Sequence, residues 1–176
     1  LALSGAVRPI RGVLPAALAA RAAGRVLVVP RANAEEACLA SGLPVLAVDH
    51  LLEFAGHLSG QSPLAHYQPS GLLRTPLPYP DLAEVQGQQA AKRALVVAAA
   101  GAHNLLLAGP PGTGKTLLAS RLPGLLPPLD EDEALQVAAI HSVAGPEPLE
   151  HWPQRPFRQP HHSASGPALV GGGCGF

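Results

Sequence analysis

The 176 residues are 47% apolar but only 3% aromatic, with 20 prolines and 19 glycines, so Ala, Leu and Val must fill any core. Twelve basic residues balance twelve acidic ones, which removes any global pull toward nucleic acid and leaves only local patches for it. No apolar run approaches a membrane span, no signal peptide is visible, and Cys38 and Cys174 sit in no metal spacing, which points to a reduced, cytoplasmic protein without membrane contact or disulfide.

The chain opens on "LALSGAVRPIRG", which reads as two short extended pieces around Gly5. Residues 14–24 are expected to be helical, with Pro15 in the first turn and Gly24 as the stop. "RVLVVP" reads as a buried strand closed by Pro30. Residues 33–42 read as a helix with Asn33 as N-cap and Glu35 and Glu36 in the first turn. "PVLAV" is a further strand, and Asp49 is expected to cap a helix over "LLEFAGHL". Strands alternating with helices argue for an α/β layer.

From 60 to 80 the texture changes. Pro63, Pro69, Pro76, Pro78 and Pro80 forbid a helix and favour an extended linker. We place a boundary there, separating segments 1–59 and 81–176. In the second segment a helix is expected over 88–100, stopped by Gly101, then a short apolar strand "NLLLAG", a glycine-rich loop and a helix from Lys115. Pro123, Pro127 and Pro128 break the chain. Asp130 caps a helix to about Val143, with Glu133 as its capping-box partner. The tail "RPFRQPHHSASGPALVGGGCGF" shows no helical or strand period. With no methionine, an opening on "LALSG" and a close on "VGGGCGF", the chain reads as an internal piece of a longer protein.

The loop "GPPGTGKT", Gly109, Pro110, Pro111, Gly112, Thr113, Gly114, Lys115 and Thr116, matches G-x-x-x-x-G-K-[ST] in a strand–loop–helix frame. Its glycines let backbone N–H groups turn inward on phosphate oxygens. Lys115 is positioned for the β and γ phosphates of ATP, and the Thr116 hydroxyl for Mg²⁺. The chain has only two lysines, Lys92 and Lys115, among its 12 Lys+Arg. Hydrolysis also needs carboxylates for the metal and the water. The one apolar run after Thr116 that ends in acids, "LLPPLDED", contains two prolines and cannot be a central strand. The catalytic set therefore reads as incomplete. His161 and His162 beside Arg155 and Arg158 could bind phosphate, while no Cys or carboxylate at ligand spacing supports a metal. The two histidines read as loop hydrogen-bonders or as contacts to DNA. His103 and Trp152 read as structural.

"DLAEVQGQQAAKRALVVAAAGAHNLLLAGPPGTGKTLLASRLPGLLPPL" followed by "RPFRQPHHSASGPALVGGG" resembles the Mg-chelatase-like AAA+ ATPases of the YifB/ComM type. "LSGAVRPIRGVLPAALAARAAG" is similar to the Lon-like domain (ribosomal S5 domain 2-like fold) that precedes the ATPase in that family. The resemblance implies the C-terminal half of that domain at 1–59, a linker at 60–80, and the N-terminal part of a P-loop AAA+ domain at 81–176. It implies that Gly109 to Thr116, with Leu117 and Gln88, form the ATP site. The acidic strand, the arginine finger and the helical lid are expected beyond Phe176. In true Lon proteases a catalytic lysine follows the turn that here is Pro9-Ile10-Arg11-Gly12; the matching position is Ala16, so no proteolysis is expected. The resemblance also implies a hexameric ring acting on DNA, in branch migration or helicase-type remodelling during recombination of incoming DNA. In such a ring Arg155, Arg158, His161 and His162 are candidates for a DNA-contacting loop. The alternatives are a magnesium-chelatase-type motor subunit, or a nucleotide-binding fragment without turnover.

Overall fold

The computed structural model describes residues 2–70, 78–144, 152–161 and 163–171. The chain divides into two compact units. One comprises Leu1–Pro78 with Pro127–Arg155, the other Tyr79–Leu126 with Pro156–Phe176. The described residues within 127–155 thus fall in the first of these units.

The first unit carries α1 (Val13–Ala22), β1 (Leu27–Pro30), α2 (Ala34–Ala37), β2 (Val45–Val48), α3 (Leu51–Leu58) and α7 (Glu131–Ala144). β1 and β2 pair in parallel, Leu27 opposite Val45 and Pro30 opposite Val48. The α/β expectation therefore holds as a mixed fold with a small parallel sheet. Its core joins Val13, Leu14 and Ala17 of α1 to Val29, Ala34, Ala37, Val45, Ala47, Leu135 and Ala138. In α7 the buried residues Ala134, Leu135, Ala138 and Ser142 form one helical stripe. Trp152 packs against this core, as its sequence reading had it.

Helix α1 has no cap of its own. Gly12 stands in the left-handed region (φ 76°) and offers no side chain. The orphan Leu14 N–H donates instead to Glu36 Oε1 and Ser142 Oγ, each at 3.3 Å. This recruits Asn33 away from capping: its side chain brackets the Ile10 N–H and C=O, both at 3.0 Å, and donates to Glu36. The expected helix over 33–42 shrinks to α2, because the Leu39 and Ala40 N–H groups bond three residues back, to Glu36 and Ala37, and tighten the turn.

Two further expectations are corrected here. The cap of α3 is His50, whose Nδ1 accepts from Leu52 N at 3.1 Å; Asp49 is taken by Arg31 at 2.6 Å. The opening residues form a single antiparallel bridge, Ala6 with His50, and no strand. In the linker, residues 71–77 lie outside the described residues. Its earlier part is docked: Tyr67 N donates to Val45 O at 2.8 Å, and Tyr67 Oη and Ser70 N donate to Glu35 Oε1 at 3.0 and 2.8 Å.

The second unit carries α4 (Gln89–Ala100), α5 (Lys115–Ala119), α6 (Leu122–Leu125) and α8 (Gly166–Val170). α4 packs on α5 and α6. Gly101 stops α4 as expected, and His103 folds back over it, so closely that a Cβ at 101 would meet the ring at 2.3 Å. Pro123 sits in the first turn of α6 and opens that helix, where the sequence reading had it break the chain. The tail holds one short helix, α8, where no period was visible. The strand expected at "NLLLAG" does not form. No strand is described in this unit to ladder with it, and Leu106 stays 90% exposed.

Candidate nucleotide site

The loop from Gly109 runs exposed into α5, with Gly109, Gly112 and Gly114 at φ 157°, 78° and 80°. Gly114 is the N-cap of α5, in the left-handed region that side chains resist. No atom lies within 4 Å of where a Cβ on Gly112 would stand, so its backbone faces open space.

Lys115 closes the loop on itself. Its Nζ donates to Gly109 O at 2.8 Å, Pro110 O at 2.5 Å and Thr113 Oγ1 at 3.3 Å. Thr113 Oγ1 in turn donates to Pro110 O at 2.9 Å. The ammonium thus rests on three oxygens that phosphate oxygens could replace. Thr116 lies exposed in the first turn of α5, and Leu118 anchors that short helix at 2% exposure.

Gln88 is brought to the loop: its Nε2 donates to Thr113 O, 25 positions on, at 3.2 Å. Arg155 donates to Pro127 O at 2.7 Å and to Glu133 Oε2 at 3.3 Å, bracing the start of α7 in the first unit. Arg158 is exposed, His161 bonds Ser163 Oγ at 2.7 Å, and His162 lies outside the described residues. Sequence reasoning missed Glu84 and Arg121, which pair at 2.9 Å behind α5; separated by 37 positions, they left no local signal.

The donor set fits a phosphate chain: one cation, a hydroxyl and glycine backbone. For a metal it offers the Thr116 hydroxyl; among the described residues no group of three or more His, Cys, Asp or Glu is arranged to hold a metal ion. No helix of the described residues is long and apolar enough to cross a membrane.

The family described as magnesium chelatase, subunit ChlI, matches residues 81–175, just over half of the chain. The competence protein ComM of Haemophilus influenzae is 50% identical over 178 residues, covering 98% of this chain and 35% of that one. The uncharacterized protein YifB of Escherichia coli is 48% identical over 175 residues, 99% of this chain and 34% of its own. The chain belongs to the YifB/ComM-type Mg-chelatase-like ATPases. An uncharacterized relative from Mycobacterium tuberculosis is 52% identical over 181 residues, covering all of this chain and 35% of its own. The chain thus spans about a third of the length of these curated Mg-chelatase-like relatives.

Proposed function

We propose that this chain supplies the ATP-binding part of an AAA+ motor that works on DNA. The observation that carries the reading is the loop Gly109 to Thr116 wrapped on the Lys115 ammonium. In this reading Lys115 exchanges loop oxygens for the β and γ phosphates, Gly112 and Gly114 present backbone N–H groups, and Leu117 follows on α5. The Thr116 hydroxyl and the nucleotide would hold Mg²⁺, which neutralises phosphate charge when bound. Residues 81–176 are the start of the AAA+ domain, 1–59 the end of a Lon-like domain, and 60–80 their linker. The name of the competence relative favours recombination of incoming DNA, with a hexameric ring performing branch migration or helicase-type remodelling in the cytoplasm. The test is binding of a fluorescent ATP analogue and DNA-stimulated hydrolysis by the complete natural protein. Both are expected to collapse in Lys115→Ala; a wild type without binding, or an unaffected variant, overturns the reading.

The family description favours a second reading, a motor for magnesium insertion into a porphyrin. Stimulation of hydrolysis by chelatase partner subunits and none by DNA would select it. For residues 1–176 alone we expect nucleotide binding with little turnover, since no carboxylate stands by Thr116 among the hydrogen-bonded groups of the loop. Robust hydrolysis by that piece would overturn this.

A further inference from the structure

The turn that delivers Gln88 to the phosphate loop is itself held by a pair of charges. Glu84 closes the turn Leu82–Glu84, which Asp81 starts by accepting from Ala83 N at 2.8 Å. Arg121 follows α5. Its Nη2 donates to Glu84 Oε2 at 2.9 Å and its Nη1 to Ser120 Oγ at 3.0 Å. The Arg121 side chain is only 12% exposed, and its buried Nε has no hydrogen-bond partner among the described residues. A guanidinium so covered depends on its counter-charge, and Glu84, its own side chain 58% exposed, is the carboxylate it meets.

Between Glu84 and Gln88 the chain is tightly determined. Val85 is buried. Gly87 and Gln88 are both left-handed, at φ 67° and 53°. Glycine adopts that region freely, whereas glutamine persists there only when its surroundings impose it. At the loop end the Gln88 side chain is held by its bond to Thr113 O at 3.2 Å, and the bare Gly114 leaves it room, since a Cβ there would stand 3.2 Å from Nε2. A trans peptide points its N–H opposite its C=O. Holding the Thr113 carbonyl therefore also fixes the direction of the Gly114 N–H.

We infer that Glu84 and Arg121 are a positioning pair for the phosphate loop: tied to the end of α5, they set the 84–88 turn so that the Gln88 amide holds the Thr113 carbonyl away from a bound phosphate. This rests on the nucleotide reading above. Neither charge touches the nucleotide; both act through Gln88.

The test is a double-mutant cycle in the complete natural protein, with a fluorescent ATP analogue as probe and the melting temperature without nucleotide measured alongside. Glu84→Gln and Gln88→Ala are each expected to weaken binding about three- to tenfold, and the double variant to bind no worse than the weaker single. The exchanged pair Glu84→Arg with Arg121→Glu recovers part of the loss, and Glu84→Asp, which keeps the charge but shortens its reach to Arg121, replaces Glu84→Gln in the cycle if that variant fails to fold. A Glu84→Gln protein that melts earlier yet binds like the wild type overturns the pair's role, as do losses that multiply. A wild type that does not bind nucleotide overturns the nucleotide reading and this inference with it, whereas a binding wild type with a silent Glu84→Gln removes the inference alone.

Discussion

The Ser142 hydroxyl donates to the Glu36 carboxyl across 106 positions of sequence, and both residues are buried. The same Glu36 oxygen accepts from Leu14 N, so one side chain of α2 joins the starts of α1 and the end of α7. Glu36→Ala removes the acceptor of three bonds, from Leu14 N, Ser142 Oγ and Asn33 Nδ2. Leu14 N keeps Ser142 Oγ and Asn33 keeps Ile10 O, so the loss falls chiefly on the Ser142 hydroxyl. The change is expected to destabilise the first unit by about 2–3 kcal/mol. Ser142→Ala removes one donor and should cost about 1 kcal/mol. Urea unfolding reads both; equal effects would show that Glu36 is not the hub.

Gly5 lies at φ 87° against the His50 ring, where a Cβ would come within 2.6 Å of Cε1. The ring cannot retreat without losing its bonds to Ser4 O at 2.9 Å and Leu52 N at 3.1 Å. Gly5→Ala should destabilise by about 1–3 kcal/mol. The loss should be local, so faster hydrogen exchange at Val7 and Leu51 is the decisive measurement, since their N–H groups donate to Asp49 O and Gly5 O.

The docked stretch around Tyr67 should respond to pH at both ends of the scale. Burial raises the Glu35 carboxyl, but hydrogen bonds from Ser70 and Tyr67 outweigh it and hold it below its ordinary value. A depressed carboxyl stabilises above its unfolded value, and that contribution is lost as pH falls through the folded one. Burial, then the bond to Glu35 and its charge, raise the Tyr67 hydroxyl. Its contribution is complete below the ordinary tyrosine value of about 10 and fades as pH climbs past it. Melting temperature against pH should therefore flatten at the acid end in Glu35→Gln and at the alkaline end in Tyr67→Phe. Curves parallel to wild type would refute both assignments.

Arg155 and Arg158 should separate under mutation. Arg155 braces Pro127 and Glu133, so Arg155→Ala is expected to cost about 1 kcal/mol of stability. Arg158→Ala should lower DNA stimulation of hydrolysis severalfold in the complete protein, leaving basal turnover unchanged. Unaltered stimulation removes Arg158 from the DNA surface.

Features written in neighbouring residues were legible. The capping box of α7 forms as spelled, Glu133 N donating to Asp130 Oδ1 at 2.7 Å and Asp130 N to Glu133 Oε2 at 3.4 Å. The loop motif and the Gly101 stop were equally local. Features set by distant partners were not. Asn33 and Asp49 have good capping chemistry, but Ile10 and Arg31 claim their side chains. "NLLLAG" has the composition of a strand, yet a strand exists only through a neighbour to ladder with. At the site, Lys115 and Gln88 could be named from spacing and resemblance, while Glu84 and Arg121 are joined only by the fold.

The first unit is written in two instalments, with the glycine-rich loop between them. A ribosome that has released residues 1–78 has delivered α1 and the sheet, but not Leu135 and Ala138, which complete their core. Synthesis must pass through the whole second stretch, glycine-rich loop included, before the earlier unit can close. Arrested nascent chains ending before α7 should accordingly stay protease-sensitive in α1, and become resistant only once the stretch through Arg155 has emerged.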